Sequence, residues 1–261
     1  MPYAELLYYS QPNQIRKPGF TRIRDAFPDL AKYVPLTSDQ SEFVGHRTDP
    51  EPVVEFAGRW DYGLANAQRL GQTAKDGTPI IEKWMSSGEE SMIEMSHAIV
   101  FVECSRVVSH EFVRHRLFSF QQESQRFTKY DDANADELFY VPLIEGDFTE
   151  AEYHDDGSLC CPAESNMDVM RDTNERLLAI YREMRKDGVA PQLARYILPN
   201  GTLTRMVVGG NLREWRHFLK LRTHKSVQPE MRELALMIHD QLIEVYPTLL
   251  KGVISDERGV R

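Results

Sequence analysis

Three cysteines in 261 residues, Cys104 and the adjacent pair Cys160 and Cys161, are too few for a disulfide framework, and chain neighbours bridge poorly. No apolar run approaches the roughly 18 residues a membrane helix needs. The opening MPYAELLYYSQPNQIRK lacks the apolar core of a secretion signal after its start. A soluble protein of a reducing compartment, the cytoplasm, is the expectation, with no membrane partner. Basic charge is also short: 31 Lys and Arg stand against 40 Asp and Glu, for a net charge of −9 and a pI near 5.4. That balance argues against a nucleic-acid partner, which asks for a basic face. Any bound anion is then a small molecule in a local pocket. HExxH, paired CxxC, GxxxxGK[ST], GxGxxG and GxSxG are all missing. No metal is therefore expected. Cys104 has no partnering His and Asn in view and reads as a buried structural thiol.

Hydrophobic residues at 41% and aromatics at 10% predict a globular chain with a sizeable core. Residues 1–57 are punctuated by seven prolines and read as an irregular N-terminal extension of short pieces. The main domain is placed at 58–255, with an acidic insertion loop at 144–165 that has few apolar residues. Helical spacing predicts helices over 62–77, over TPIIEKWMSSG, over Ser105–Arg116 and over NMDVMRDTNERLLAIYREMRKDG. The last carries Val169, Leu177, Ile180, Tyr181 and Met184 as its apolar side. A short helix stopping at Pro199, a helix with Leu212, Trp215 and Leu219 on one side, and a long helix with Leu234, Ile238, Leu242 and Val245 follow. TLTRMVVGGN suits a strand, while Ala98–Val102 is ambiguous between strand and helix. No internal repeat is visible, and the class is α+β.

What is plentiful is local. FVRHRLFSFQQESQRFTKY, Phe112 to Tyr130, packs Arg114, His115, Arg116, Arg126 and Lys129 into an otherwise acidic protein. A solvated charged face with a Glu111–Arg114 or Glu111–His115 pair is one reading of the triplet. The other is an anion pocket, because guanidinium forks with the hydroxyl and amide donors Ser119, Gln121, Gln122, Ser124 and Gln125 suit a phosphate. Phe118, Phe120 and Phe127 fit a core as readily. A second basic set is Arg195, Arg205, Arg213, Arg216, Arg222 and Lys225. Asn211 is placed as a helix N-cap, and His217 as a structural histidine.

The run Arg114-His115-Arg116, then Ser124, then Gln125-Arg126, resembles the signature of the flavin-dependent thymidylate synthases. GEESMIEM at Gly88–Met95, ARYILPNGTLTR from Ala194 and NLREWRHFLKLR ending at Arg222 resemble that family's other segments, so that roughly 86–247 is covered. The resemblance implies a single thymidylate synthase-complementing-type domain, helices with a mainly antiparallel sheet, assembled as a homotetramer with active sites shared between subunits. It implies FAD as cofactor and reductive methylation of dUMP to dTMP, with methylenetetrahydrofolate as one-carbon donor and NADPH as reductant. Toward FAD it implies Ser91, Arg114, His115, Arg116, Gln122, Asn211, Arg213 and His217. Toward dUMP it implies Glu111, Arg114, Gln122, Ser124, Gln125, Arg126, Arg195 and Arg222, with Arg222 catalytic at the pyrimidine. Glu89 and Met95 stand where the family commonly has His, Glu111 where it has Gln, and Phe127 where it has Tyr. These departures keep open C5 modification of another pyrimidine nucleotide on the same scaffold; the Arg114–Arg126 basic cluster by itself keeps open, from a different class, a non-catalytic nucleotide- or RNA-binding module.

Overall fold

The computed structural model describes residues 2–9, 51–63, 66, 69, 79–142, 152–153, 159–161 and 166–254. In chain order these form β1 (Tyr3–Tyr9), α1 (Glu51–Trp60), α2 (Ile80–Ser87), a 3-10 turn (Ser91–Met95), β2 (His97–Ser105), α3 (Arg106–Phe112), β3 (Ser119–Gln122) and α4 (Ala135–Leu138). The hairpin β4 (Glu152–Tyr153) and β5 (Leu159–Cys161) comes next, then α5 (Asn166–Lys186), α6 (Pro191–Ala194) and a 3-10 turn (Arg195–Ile197). The order closes with β6 (Leu203–Asn211), α7 (Leu212–Arg222) and α8 (Pro229–Ile243). The class is mixed helix and antiparallel sheet, as the sequence predicts. The four-stranded sheet runs β1-β2-β6-β3, and β4 pairs with β5 antiparallel.

The chain condenses into two units. One holds Met1–Tyr3, Val102–Arg114 and Phe120–Met206; the other holds Ala4–Phe101, His115–Ser119 and Val207–Arg261. The second unit is built on strand alternation and helix stripes. Ala98 and Val100 of β2 and Val208 of β6 point inward at the two-residue period of a pleated strand. α7 buries Leu212, Trp215, Phe218 and Leu219, and α8 buries Met231, Leu234, Ala235, Ile238 and Leu242, each at helical spacing. Pro79 precedes α2, and Gly88, in the left-handed region at φ 80°, closes it with amide bonds back to Met85 and Trp84. The Glu51 carboxylate, buried at the start of α1, accepts from the amides of Thr248 (2.7 Å) and Leu249 (2.9 Å).

In the first unit, Tyr130, Leu138, Phe139, Leu178, Tyr181 and Ala194 form the core. Arg182 donates to the carbonyls of Asp131 (3.1 Å) and Ala133, tying the loop before α4 onto α5. Ser105 caps α3 by accepting from the amide of Val108 (3.3 Å).

Four expectations change. The helix predicted over Ser105–Arg116 ends at Phe112, so Arg114, His115 and Arg116 lie on turns and Glu111 does not share a helix face with His115. The reason is tertiary: His115 and Phe118 are buried in the second unit, which a continued helix would not allow. Ser119–Gln122, read as a polar stretch, is strand β3. The inward face of α5 runs through Asn174, Leu178 and Tyr181, leaving Val169 and Ile180 exposed; a buried Asn at its centre shifted the phase. Within 1–57, Tyr3–Tyr9 is a strand and the segment from Glu51 is helical, while 10–50 lies outside the described residues. Most of the helix expected over 62–77 also lies outside them, as does most of 144–165, where β4 and β5 are the described parts.

Candidate functional site

In the second unit the site is organised by α7. β6 passes into the helix without a loop, and Asn211 caps the turn by accepting from the Glu214 amide at 2.9 Å. Leu212 donates to the Ser96 carbonyl (2.8 Å) and Trp215 Nε1 to the Ala98 carbonyl (3.2 Å), which fixes the rotation of the helix on β2. With its apolar stripe committed, α7 turns Arg213 and His217 toward solvent and leaves Arg222 half-buried in its last turn. Close approach from β6 matters here. A Cβ built on Gly210 would meet Phe118 at 2.2 Å, so the Phe118 ring occupies the space that glycine leaves. That ring packs on Trp215 with centroids 4.4 Å apart.

His115 lies against this cluster, 5.1 Å from the Phe218 ring and 6.1 Å from the His217 ring, centroid to centroid. Its Nε2 accepts from Arg222 Nε at 3.1 Å, and its Nδ1 faces Glu214 Oε1 at 3.5 Å. A guanidinium has no acceptor, so Nε2 must carry the lone pair and the proton sits on Nδ1. Burial, then the charges of Arg222 and His217, push His115 down to about 4. The imidazole is neutral near pH 7, so its 3.5 Å approach to Glu214 Oε1 is a polar contact rather than an ion pair. Burial raises the Glu214 carboxyl above its ordinary value, with His217 opposing.

Arg213 binds Glu94 at 2.5 Å and stands 3.9 Å from Glu90, which also takes Arg216 at 3.3 Å. Arg213 and the exposed Ser91 line a cavity of about 440 Å³ together with Tyr62, Trp84, Glu89 and Glu90. The Tyr62 and Trp84 rings there lie within 9° of parallel, and Tyr62 Oη donates to Glu89 at 2.9 Å.

The first unit carries Glu111, Arg114, Gln122, Ser124, Gln125, Arg126 and Arg195. Ser124 starts a turn: its carbonyl accepts from Phe127 and Thr128, both at 3.0 Å, and its Oγ accepts from the Arg126 amide at 3.3 Å. The turn pushes Arg126 and Phe127 into solvent, with the guanidinium 5.6 Å from the ring centroid. It also turns Gln125 inward, beside the buried Tyr130 hydroxyl. Gln122 stitches the unit, donating to Ser109 and Thr204 hydroxyls at 3.2 Å each. Of the residues expected to touch ligands, Gln122 and Asn211 are thus committed within the chain and Gln125 faces the core. Glu111 is half-buried, and Arg195 is half-buried at the head of its 3-10 turn.

Charge pairing separates the arginines further. Arg205 is bound by Glu103 at 2.6 Å, and Arg213 and Arg216 carry carboxylates as described. Among the described residues, Arg114, Arg116, Arg126 and Arg195 carry none. Those four are motif positions, and unpaired guanidiniums in an acidic protein are the groups an anionic ligand would meet. Sequence reasoning missed Glu214. Asn-x-x-Glu before an apolar stripe is a capping-box pattern, which explains the glutamate without recourse to a site.

The family model described as Thymidylate synthase complementing protein matches residues 42–248. A flavin-dependent thymidylate synthase from Corynebacterium diphtheriae is 34% identical over 222 residues, 80% of this chain and 82% of the relative. One from Geobacter sulfurreducens is 31% identical over 209 residues, 79% and 83% of the two chains. Among solved structures, the UMP/dUMP methylase PolB from Streptomyces cacaoi, bound with 5-Br dUMP, superposes with a TM-score of 0.64 at 20% identity, covering 98% of this chain and 97% of that one. The flavin-dependent thymidylate synthase ThyX from Helicobacter pylori, complexed with FAD and dUMP, gives a TM-score of 0.57 at 18% identity, covering 79% and 96%. At such identities the structural likeness speaks for the fold alone. Matched by the family model over most of its length and by relatives above 30% identity, the chain belongs to the thymidylate synthase complementing protein family.

Proposed function

We propose that this protein is a flavin-dependent thymidylate synthase, converting dUMP to dTMP with FAD, with methylenetetrahydrofolate as carbon donor and NADPH as reductant. The observation that carries the reading is the coincidence of family membership with guanidiniums that, among the described residues, are left without carboxylates at the motif positions Arg114, Arg116, Arg126 and Arg195. Those donors fit the two phosphate-bearing ligands the reaction needs, the FAD pyrophosphate and the dUMP phosphate. Toward FAD the roles fall to Ser91, Arg114, His115, Arg116, Arg213 and His217. Toward dUMP they fall to Glu111, Arg114, Ser124, Arg126, Arg195 and Arg222. Gln122, Gln125 and Asn211 hold the elements that present these groups. The active protein is a homotetramer whose subunits share their sites.

Chemistry at the pyrimidine rests on Arg222. Uracil C5 is a poor nucleophile until electron density moves into the ring. A guanidinium at N3 and O2 favours loss of the N3 proton and stabilises the resulting anion, staying charged because its own pKa lies above ~12. When bound, FAD supplies the redox chemistry, and the protein supplies orientation and electrostatics. No nucleophilic thiol is called for, which agrees with the buried Cys104.

Glu89 and Glu111 favour a second reading, C5 modification of another pyrimidine nucleotide, since a carboxylate accepts from an amino group. One experiment addresses both. Flavin-loaded protein is incubated with methylenetetrahydrofolate, NADPH and, in parallel, dUMP, UMP or dCMP, and the products are identified by mass. Formation of dTMP is expected; product from UMP or dCMP alone would replace the first reading by the second.

A further inference from the structure

Glu214 is a buried carboxylate that the proposed reaction does not use. It lies on α7 one turn above the apolar seat of Phe218, is 5% exposed, and faces His115, itself 7% exposed. Two contacts then link the three residues: Glu214 Oε1 stands 3.5 Å from His115 Nδ1, and Arg222 Nε donates to His115 Nε2 at 3.1 Å. An ionised carboxylate only accepts, so whatever stands opposite it must donate. That requirement and the Arg222 donor together place the imidazole proton on Nδ1 and the lone pair on Nε2. The reverse tautomer would set an Nε2–H against the Arg222 Nε–H, two donors facing each other, and the contact would break.

We propose that Glu214 is a positioning residue for Arg222, acting through His115: its carboxylate enforces the Nδ1–H tautomer whose Nε2 accepts from Arg222 and fixes the guanidinium plane. The inference rests on the reading of Arg222 as the catalytic group, and it shifts His115 from a direct ligand contact to a mediator. The relay is a carboxylate–imidazole–guanidinium arrangement in which the middle ring is braced by Phe118 and Phe218. Its members come from α7 and from the turn after α3, and the charged and titratable groups acting on His115 include Arg222 and His217 besides Glu214. Glu214 is raised above 4.5 while His115 sits at about 4, so on acidification the glutamate takes its proton first. A neutral carboxyl, like an amide, can donate as well as accept, and it no longer dictates the tautomer.

The test compares holoenzyme with Glu214→Leu and Glu214→Gln. Glu214→Leu is expected to lower kcat by about tenfold or more, since orientation of a catalytic group contributes on that scale. Flavin content per subunit and KM for dUMP should stay within about twofold. Glu214→Gln should fall between, roughly fivefold down, and should lack the part of the acid-side decline that protonation of Glu214 adds. The wild type should decline on the acid side toward the Glu214→Gln level. Wild-type kcat in Glu214→Leu, a loss expressed as flavin release or raised KM, or an unchanged acid limb in Glu214→Gln would overturn the proposal. If Glu214→Leu does not fold, the Glu214→Gln pH profile decides alone. If the flavin-loaded wild type makes no dTMP, the functional reading fails separately, and 15N shifts of labelled histidine still test the relay. An Nδ1–H His115 in the wild type that is lost in Glu214→Leu supports it; the same tautomer in both contradicts it.

Discussion

Gly210 gives the sharpest prediction about packing. Its backbone is not in the left-handed region, so an alanine there meets a steric barrier and no conformational one. The new Cβ would lie 2.2 Å from Phe118 Cδ1 and 2.6 Å from Cε1, where ordinary contact begins near 3.4 Å. The ring must move by more than about 1 Å to clear it, and it has nowhere easy to go. Phe118 is packed at 4.4 Å from Trp215 and 6.0 Å from Phe218, both fully buried. Overpacking of this kind costs about 1–3 kcal/mol. With rigid neighbours the upper half of that range applies, which lowers Tm by roughly 4–10 °C in a protein of this size. Thermal unfolding followed by circular dichroism reads the shift. A double-mutant cycle with Phe118→Leu identifies the cause, because Gly210→Ala should cost little once the ring is gone. A Gly210→Ala protein with wild-type Tm, or an equal loss in the Phe118→Leu background, would refute the steric account.

Three further outcomes follow from the same geometry. His115 titrates at about 4 in the fold against an ordinary 6.5, so the folded state prefers the neutral ring. Its contribution, on the order of 3 kcal/mol, is complete above pH 6.5 and is lost as pH falls toward 4. Glu214, shifted upward, acts in the opposite sense above 4.5, so the difference between wild type and His115→Phe in urea unfolding at pH 5 and 7 isolates the histidine; equal differences at both would contradict it. Arg126→Ala should raise the Kd for dUMP about tenfold or more while leaving Tm within about 1 °C, because the side chain is exposed and, among the described residues, bound to no carboxylate. A large Tm loss would make Arg126 structural. Asn211→Ala should cost about 1 kcal/mol through loss of the cap to Glu214, visible as a Tm lowered by a few degrees.

What could be read from the sequence is what local periodicity encodes. Leu212, Trp215 and Leu219 announced α7, Asn211 announced its cap, and β-branched residues announced β6, since each signal lies within one element. Other features were set by contacts distant in sequence. No Gly or Pro marks the end of α3 at Phe112; the helix stops because His115 and Phe118 are buried elsewhere. β3 carries an alternation of exposed and half-buried positions in SFQQ, too weakly apolar to signal a strand. The arginine cluster stood out from composition, but which guanidiniums lack carboxylates became visible in three dimensions, where Arg205 meets Glu103 and Arg213 meets Glu94. The His115–Arg222 bond joins residues 107 positions apart and leaves no sequence trace.

The central claim is that Arg222 acts on the pyrimidine of dUMP in a flavin-dependent methylation. Wild type and Arg222→Ala, each loaded with FAD and normalised to bound flavin, are supplied with dUMP, methylenetetrahydrofolate and NADPH, and dTMP is counted per turnover. The account predicts dTMP from the wild type and a loss of at least about a hundredfold in the variant, with flavin retained. Equal dTMP from both proteins, or none from flavin-loaded wild type, would contradict it.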